Sequence, residues 1–284
     1  MSTGSGTAHP TSGTLDVPGA VLHYQVRGTG PFLLISQSGE GDADRTVDLV
    51  ARLADSCTVV TYDRRGLSRS RLVDPEHGAT LAEHADDVDR LLAELTDSPV
   101  VMLGLSFGAV IGLHTALRHP GRISTLIAHE PVAPQLLPET ERARHEGELS
   151  ELQDLYRRAG LKAVFPEIAR ALGIDPSSKD VEPDLTPQPI DAQRTANFDH
   201  FIRHDFSAIL DDTLDTARLR ETGTRIVPTV GRTTPRTVFD YRCAQALAGL
   251  LDTELLELPG GHNGNTSHPQ AYAACLRAFL RDTD

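Results

Sequence analysis

At 284 residues and 30.7 kDa, the chain can bury a sizeable core and fits one large α/β domain with an insertion. Its formal net charge of -13 argues against nucleic acid or an anionic membrane as a partner, because phosphate binding needs a basic surface. Hydrophobic residues at 39% are ordinary for a globular domain, and no apolar run approaches the length of a membrane span.

In chain order, residues 1–13 read as a disordered tail without the basic and apolar regions of a signal peptide, so a cytoplasmic location is expected. Residues 20–26 alternate like an early antiparallel strand, and residues 31–36, 57–62, 100–105 and 123–129 are short apolar runs suited to central strands. Helices fit at residues 45–53, 81–95 and 109–118, with Thr80 as N-cap and Glu83 completing a capping box. This alternation implies βαβ units and a mostly parallel sheet. Residues 134–222 change character: helical stretches at 139–159 and 191–214 flank a Pro-rich polar break at 175–189. Placed between two sheet strands, this segment is expected to be a helical lid, with residues 14–133 and 223–284 forming the core. Strands then resume at 225–230 and 254–258, with helices at 239–251 and 269–280.

Gly104-Leu105-Ser106-Phe107-Gly108 stands between a strand-like run and a helix-like one. A Gly-x-Ser-x-Gly turn in that context is a nucleophile elbow, with Ser106 in a strained conformation and flanking glycines where no Cβ fits. A serine hydroxyl needs a base to accept its proton. Among twelve histidines the best candidate is His262, in the glycine-rich loop Pro259-Gly260-Gly261-His262 after the last strand. His114 and His119 fall on or just after the elbow helix and read as structural; His200 and His204, one helical turn apart in the lid, either line the pocket or face solvent.

A carboxylate should hold the imidazole in its working tautomer. Its commonest place, the loop after the next-to-last strand, reads Gly231-Arg232-Thr233-Thr234-Pro235 and contains no acid. Glu130, at the end of the strand after the elbow in His129-Glu130-Pro131, is the favoured substitute, and it keeps the chain order nucleophile, acid, base. Asp240 competes but falls inside a predicted helix. For the oxyanion, the backbone N–H of Phe107 is one donor and that of Ser38 the other, with Gly39 the alternative to Ser38. The segment Asp63-Arg64-Arg65-Gly66-Leu67-Ser68-Arg69-Ser70 is expected to form a tight turn whose side chains make structural hydrogen bonds near the sheet top, with no catalytic part. Cys57, Cys243 and Cys275 show no metal-type or redox spacing and read as small hydrophobes in a reducing compartment; no metal or cofactor is expected.

The segment Tyr62-Asp63-Arg64-Arg65-Gly66-Leu67-Ser68-Arg69-Ser70, the elbow and the Gly261-His262 loop together resemble the α/β-hydrolase superfamily along nearly the whole chain. Within it, His129-Glu130-Pro131, Thr229-Val230-Gly231-Arg232-Thr233-Thr234-Pro235 and Leu258-Pro259-Gly260-Gly261-His262 with Ser267-His268-Pro269 look like the zearalenone lactonases. That resemblance implies the α/β-hydrolase fold, a catalytic glutamate at Glu130, and hydrolysis of a resorcylic macrolactone. It covers the core and not the lid: that family sets a lid tryptophan against its substrate, and this chain has none. The expected activity is a serine esterase or lactonase with Ser106, Glu130 and His262 as its catalytic residues. The expected partner is a small-molecule ester or lactone, with a homodimer left open. A carbon–carbon bond hydrolase, a lyase and a non-catalytic binding protein are the competing readings, since a fold does not specify its reaction.

Overall fold

The computed structural model describes residues 11–281. Most of the expected tail, residues 1–10, lies outside the described residues, but residues 11–13 do not belong to a tail. They open strand β1 (Thr11–Val17), which pairs antiparallel with β2 (Ala20–Arg27) through a register of Val17 opposite Ala20. The link is Pro18-Gly19, with Gly19 at φ +78°. Proline followed by a glycine in the left-handed region is the chemistry of a tight type II turn. Polar Thr11 and Ser12 gave no apolar alternation, which is why this edge strand is hard to see in the sequence.

The remaining strands are β3 (Phe32–Ser36), β4 (Thr58–Tyr62), β5 (Arg71–Leu72), β6 (Val100–Leu105), β7 (Ile123–His129), β8 (Arg225–Gly231) and β9 (Leu256–Leu258). They form a nine-stranded sheet in the order β1-β2-β4-β3-β6-β7-β8-β9, with the short β5 paired to β2. From β4 to β9 all pairings are parallel, and β1, β2 and β5 supply the antiparallel margin. Central strands are buried on both faces: Leu34, Val60 and Met102 join one apolar cluster, while their neighbours Leu33, Ile35, Val59 and Leu103 join another. Such two-sided burial is why these runs are almost continuously apolar.

Helices cover both faces. α1 (Val47–Leu53) shares one cluster with the C-terminal helix, which begins at Pro269. On the other face lie α2 (Leu81–Leu95) and α3 (Phe107–Arg118). The capping box at Thr80 is formed: its hydroxyl accepts the Glu83 N–H, and the Glu83 carboxylate accepts the Thr80 N–H at 2.9 Å.

Between β7 and β8 the chain leaves the sheet for a helical segment. It contains α4 (Glu139–Ala159), α5 (Leu161–Ala171), α6 (Ala192–His200), a π-helical turn (Phe201–Asp205) and α7 (Phe206–Leu210). α5 was not anticipated; Pro166 lies inside it and reads as a helix breaker. After β8 come α8 (Phe239–Leu251), the single turn α9 (Gly264–Ser267) and α10 (Pro269–Arg281). No described helix is long and apolar enough to cross a membrane.

Candidate active site

Parallel strands in register end on one edge of the sheet: Ser36 lies beside Gly104, Leu105 beside His129, His129 beside Thr229, and Gly231 beside Leu258. Side chains placed just beyond these ends therefore converge, although they come from distant parts of the sequence.

Ser106 sits between the end of β6 and the start of α3 at φ 53°, ψ -111°. A non-glycine residue there carries strain of about 1–3 kcal/mol. It is held by its N–H, which donates to the His129 carbonyl at 2.8 Å. Both flanking glycines are sterically required: a Cβ on Gly104 would come 2.6 Å from the Ala109 Cα, and one on Gly108 would come 2.1 Å from the Ser36 carbonyl oxygen.

Glu130, one residue beyond β7, is also held in the left-handed region at φ 44°, its N–H donating to the Thr229 carbonyl at 3.0 Å. One carboxylate oxygen accepts the Gly231 N–H at 2.7 Å and the other meets His262 Nδ1 at 2.6 Å. The helix containing Asp240 does not remove it from the site. Standing in the first turn of α8, it places Oδ2 2.6 Å from the same Nδ1. Only the Glu130 contact has hydrogen-bond alignment; neither Asp240 oxygen has a hydrogen-bond partner among the described residues.

Two buried carboxylates thus crowd one imidazole. Burial pushes the Asp240 carboxyl well above the usual carboxylate range, and the neighbouring Glu130 charge adds to that, against the pull of His262. Burial also opposes ionisation of Glu130, yet the His262 hydrogen bond and the nearby imidazoles of His129 and His262 hold its carboxyl below the ordinary range. Burial disfavours the His262 imidazolium, but Asp240 and then Glu130 outweigh it and raise its pKa. Glu130, Asp240 and His262 are also the one described group whose ligand atoms, all within 4.8 Å of one another, could meet a cation. The 2.6 Å contact of Glu130 with His262 Nδ1 is an aligned hydrogen bond, and Asp240 Oδ2 lies at the same distance from that nitrogen without the alignment.

Ser106 and His262 open onto one cavity of about 320 Å³ without a direct hydrogen bond between them. Ser38 and Gly39 line it too. Among the described residues, no acceptor takes the backbone N–H of Ser38 or of Phe107. Both donors remain free, Phe107 as the first residue of α3.

Arg64 forms the structural hydrogen bonds expected of its segment, and they lie beneath the loop beside Ser106. Its guanidinium, 2% exposed, donates to the carbonyls of Ser38 at 2.7 Å and Gly39 at 2.8 Å, and lies 4.6 Å over the Phe107 ring. Asp205 from the π-helical turn anchors it at 2.7 Å. One buried ion pair thus ties the inserted helices to the loop beside Ser106. The run of two arginines after a strand was the available signal, but nothing local told which one turns inward. Arg65 instead pairs with Asp87.

His114 pairs with Asp212 and His119 with Asp86, as suits structural residues. His200 and His204 do not line the cavity beside Ser106. Their ring centroids lie 4.7 Å apart with the planes tilted by 45°, and burial pushes the His200 imidazole down to about 4. Cys57 and Cys243 are buried and Cys275 is half-buried, all three as free thiols.

A mostly parallel sheet with helices on both faces and a strained serine elbow beyond its strand ends defines an α/β-hydrolase. The chain belongs to that family: its profile, described as the alpha/beta hydrolase fold, matches residues 31–208. The chain is 40% identical over 273 residues to YraK of Bacillus subtilis, named an uncharacterized hydrolase, covering 95% of this chain and 96% of that one. It is 30% identical over 244 residues to RutD of Yersinia enterocolitica, provisionally named a carbamate hydrolase, covering 81% and 80%. A thermophilic esterase structure from Thermogutta terrifontis superposes with a TM-score of 0.74 at 20% identity, covering 97% of this chain and 99% of that one. The chain is therefore a hydrolase on the α/β scaffold.

Proposed function

We propose that the chain is a serine hydrolase of a carboxylic ester or lactone, working through an acyl-enzyme. The observation that carries this reading is the strained Ser106 sharing a cavity with His262, whose Nδ1 is held by Glu130 at 2.6 Å. Ser106 Oγ attacks the substrate carbonyl while His262 Nε2 takes its proton. The N–H groups of Phe107 and Ser38 receive the oxyanion, and the leaving alcohol departs with the proton from His262. Water then attacks the acyl-enzyme with His262 again as base, releasing the acid and restoring Ser106. Glu130 holds His262 in the tautomer with Nδ1–H, and Asp240, 2.6 Å from the same nitrogen, raises the affinity of the imidazole for a second proton. Once His262 has released its Nε2 proton, the imidazole is neutral and Nε2 is free to act as the base.

The inserted helices act as a lid that excludes bulk water and shapes the acyl pocket. The resemblance of the core segments to zearalenone lactonases supports Glu130 as the acid and extends the proposal to macrolactones. A mass-spectrometric screen of macrolactones, zearalenone included, beside short-chain aryl esters tests this. Gain of one water on the macrolactone alone supports the lactonase reading; hydrolysis of aryl esters only sinks it.

Arg64 is a positioning residue in this scheme, because it holds the carbonyls on the far side of the oxyanion loop. Asp205→Asn should leave Arg64 buried without its counter-charge, at a cost of about 3–5 kcal/mol in stability. On a neutral aryl ester its kcat should drop more than tenfold with KM changed less than threefold, and Asp205→Glu should recover part of it. An unchanged kcat in a folded but less stable protein would reduce Asp205 to a structural role.

A further inference from the structure

Resting on the serine hydrolase reading, we infer that the substrate carries a carboxylate remote from its scissile carbonyl, and that Arg45 and Arg194 hold it. The cavity beside Ser106 is predominantly apolar: five of the eight phenylalanines, Phe165, Phe198, Phe201, Phe206 and Phe239, line it. Apart from His262, the only charged side chains on its wall among the described residues are Glu40, Arg45 and Arg194. Two guanidiniums thus face one carboxylate. Arg194 donates from Nε to Glu40 Oε1 at 2.6 Å, and Arg45 Nε meets Glu40 Oε2. Both oxygens of the single acid are therefore taken.

These groups are largely withdrawn from solvent, with side-chain exposures of 18% for Arg45, 15% for Arg194 and 5% for Glu40. Uncompensated charge in such a place is costly, so a second anion should be welcome. Arg45 bears the marks of that shortage: burial lowers its pKa, and Arg194 lowers it further against the opposing pull of Glu40 and Asp42. Asp42 does not line the cavity. One of its oxygens accepts the Ser68 hydroxyl and the other accepts the Asp44 N–H. Arg45 donates from Nη1 to Gln188 Oε1 at 3.0 Å, and no described residue takes a hydrogen bond from its Nη2. A guanidinium whose Nη2 has no described acceptor, in a desolvated wall, is matched to a carboxylate oxygen.

The arrangement specifies an elongated ligand. Its carbonyl reaches Ser106, its apolar body packs among the phenylalanines, and its acid meets the two arginines. Glu40 occupies both arginines when no ligand is bound, and a substrate carboxylate adds to this cluster as the second anion it lacks.

The test is calorimetric binding of 4-phenylbutyrate and its uncharged analogue 4-phenylbutyramide. It needs no turnover, so failure of the hydrolase reading shows separately, as absent hydrolysis of neutral esters by the same preparation. The wild-type protein should bind the carboxylate at least tenfold tighter than the amide. That preference should fall to near unity in Arg45→Met and Arg194→Met, and Arg194→Lys should retain part of it. Glu40→Gln should tighten carboxylate binding threefold or more by freeing the arginines, a gain that misfolding cannot imitate. Equal affinity for acid and amide in the wild type would overturn the inference. So would a preference that survives both methionine substitutions, since the anion would then sit at His262 or the oxyanion donors, or a Glu40→Gln protein that binds the acid no better.

Discussion

Ser106→Ala is expected to abolish covalent labelling by a fluorophosphonate and to lower kcat on any accepted ester by about 10⁴–10⁶-fold. The fold should survive. Ser106 Oγ makes no hydrogen bond to another described residue, and the elbow is held by its backbone, with the Ser106 N–H on the His129 carbonyl at 2.8 Å. Alanine meets the same strain at φ 53° as serine does, so neither side chain relieves it. The measurement pairs gel-based labelling with a thermal melt. Labelling that persists at another residue would reject Ser106 as the nucleophile. A wild-type protein that folds and is never labelled would favour a non-catalytic binding role.

Glu130→Gln is expected to lower kcat by about 10⁴-fold, because an amide cannot both accept the Gly231 N–H and hold His262 in the Nδ1–H tautomer as the carboxylate does. Asp240→Asn should behave differently. It should lose less than about tenfold at the alkaline plateau, where Glu130 alone suffices to orient the base. Its acid limb should move as well. Asp240 is the leading cause that raises the His262 pKa against burial, so removing its charge lowers that pKa. Activity is lost as pH falls and His262 takes up a proton on Nε2. The acid limb of kcat/KM in Asp240→Asn should therefore shift to lower pH relative to wild type. If Asp240→Asn proves the crippling substitution and Glu130→Gln the mild one, the two carboxylates exchange roles. Profiles recorded on both variants with one aryl ester decide between these outcomes.

Much of this site is legible because its chemistry is local. Gly-x-Ser-x-Gly between an apolar run and a helix states the steric need of the elbow in five consecutive residues, and the glycine-rich loop at His262 follows the last strand directly. Glu130 was readable from its position at a strand end together with the absence of an acid in residues 231–235. Other features were not. Asp240, the competitor to Glu130, lies in a helix as its sequence predicts, but its place in the first turn of α8 brings it to the imidazole all the same. Nor could the motif around Asp63 reveal that Arg64 turns under residues 37–39 while Arg65 turns to Asp87. The hairpin strand at residues 11–17 escaped because its outer half is polar, and α5 because it contains a proline.

The sequence by itself determined the fold class, the nucleophile elbow and the candidate base, because backbone sterics and hydrophobic period act over a few residues. Tertiary structure alone decided what surrounds them. Glu130 and His262 are 132 positions apart, and Arg64 and Asp205 are 141 apart. Their contacts depend on parallel strands ending in register and on inserted helices folding back over that edge. Whether a buried carboxylate keeps its proton, and whether two arginines share one acid, follows from desolvation and distance. Both are set only once the chain has closed around the cavity.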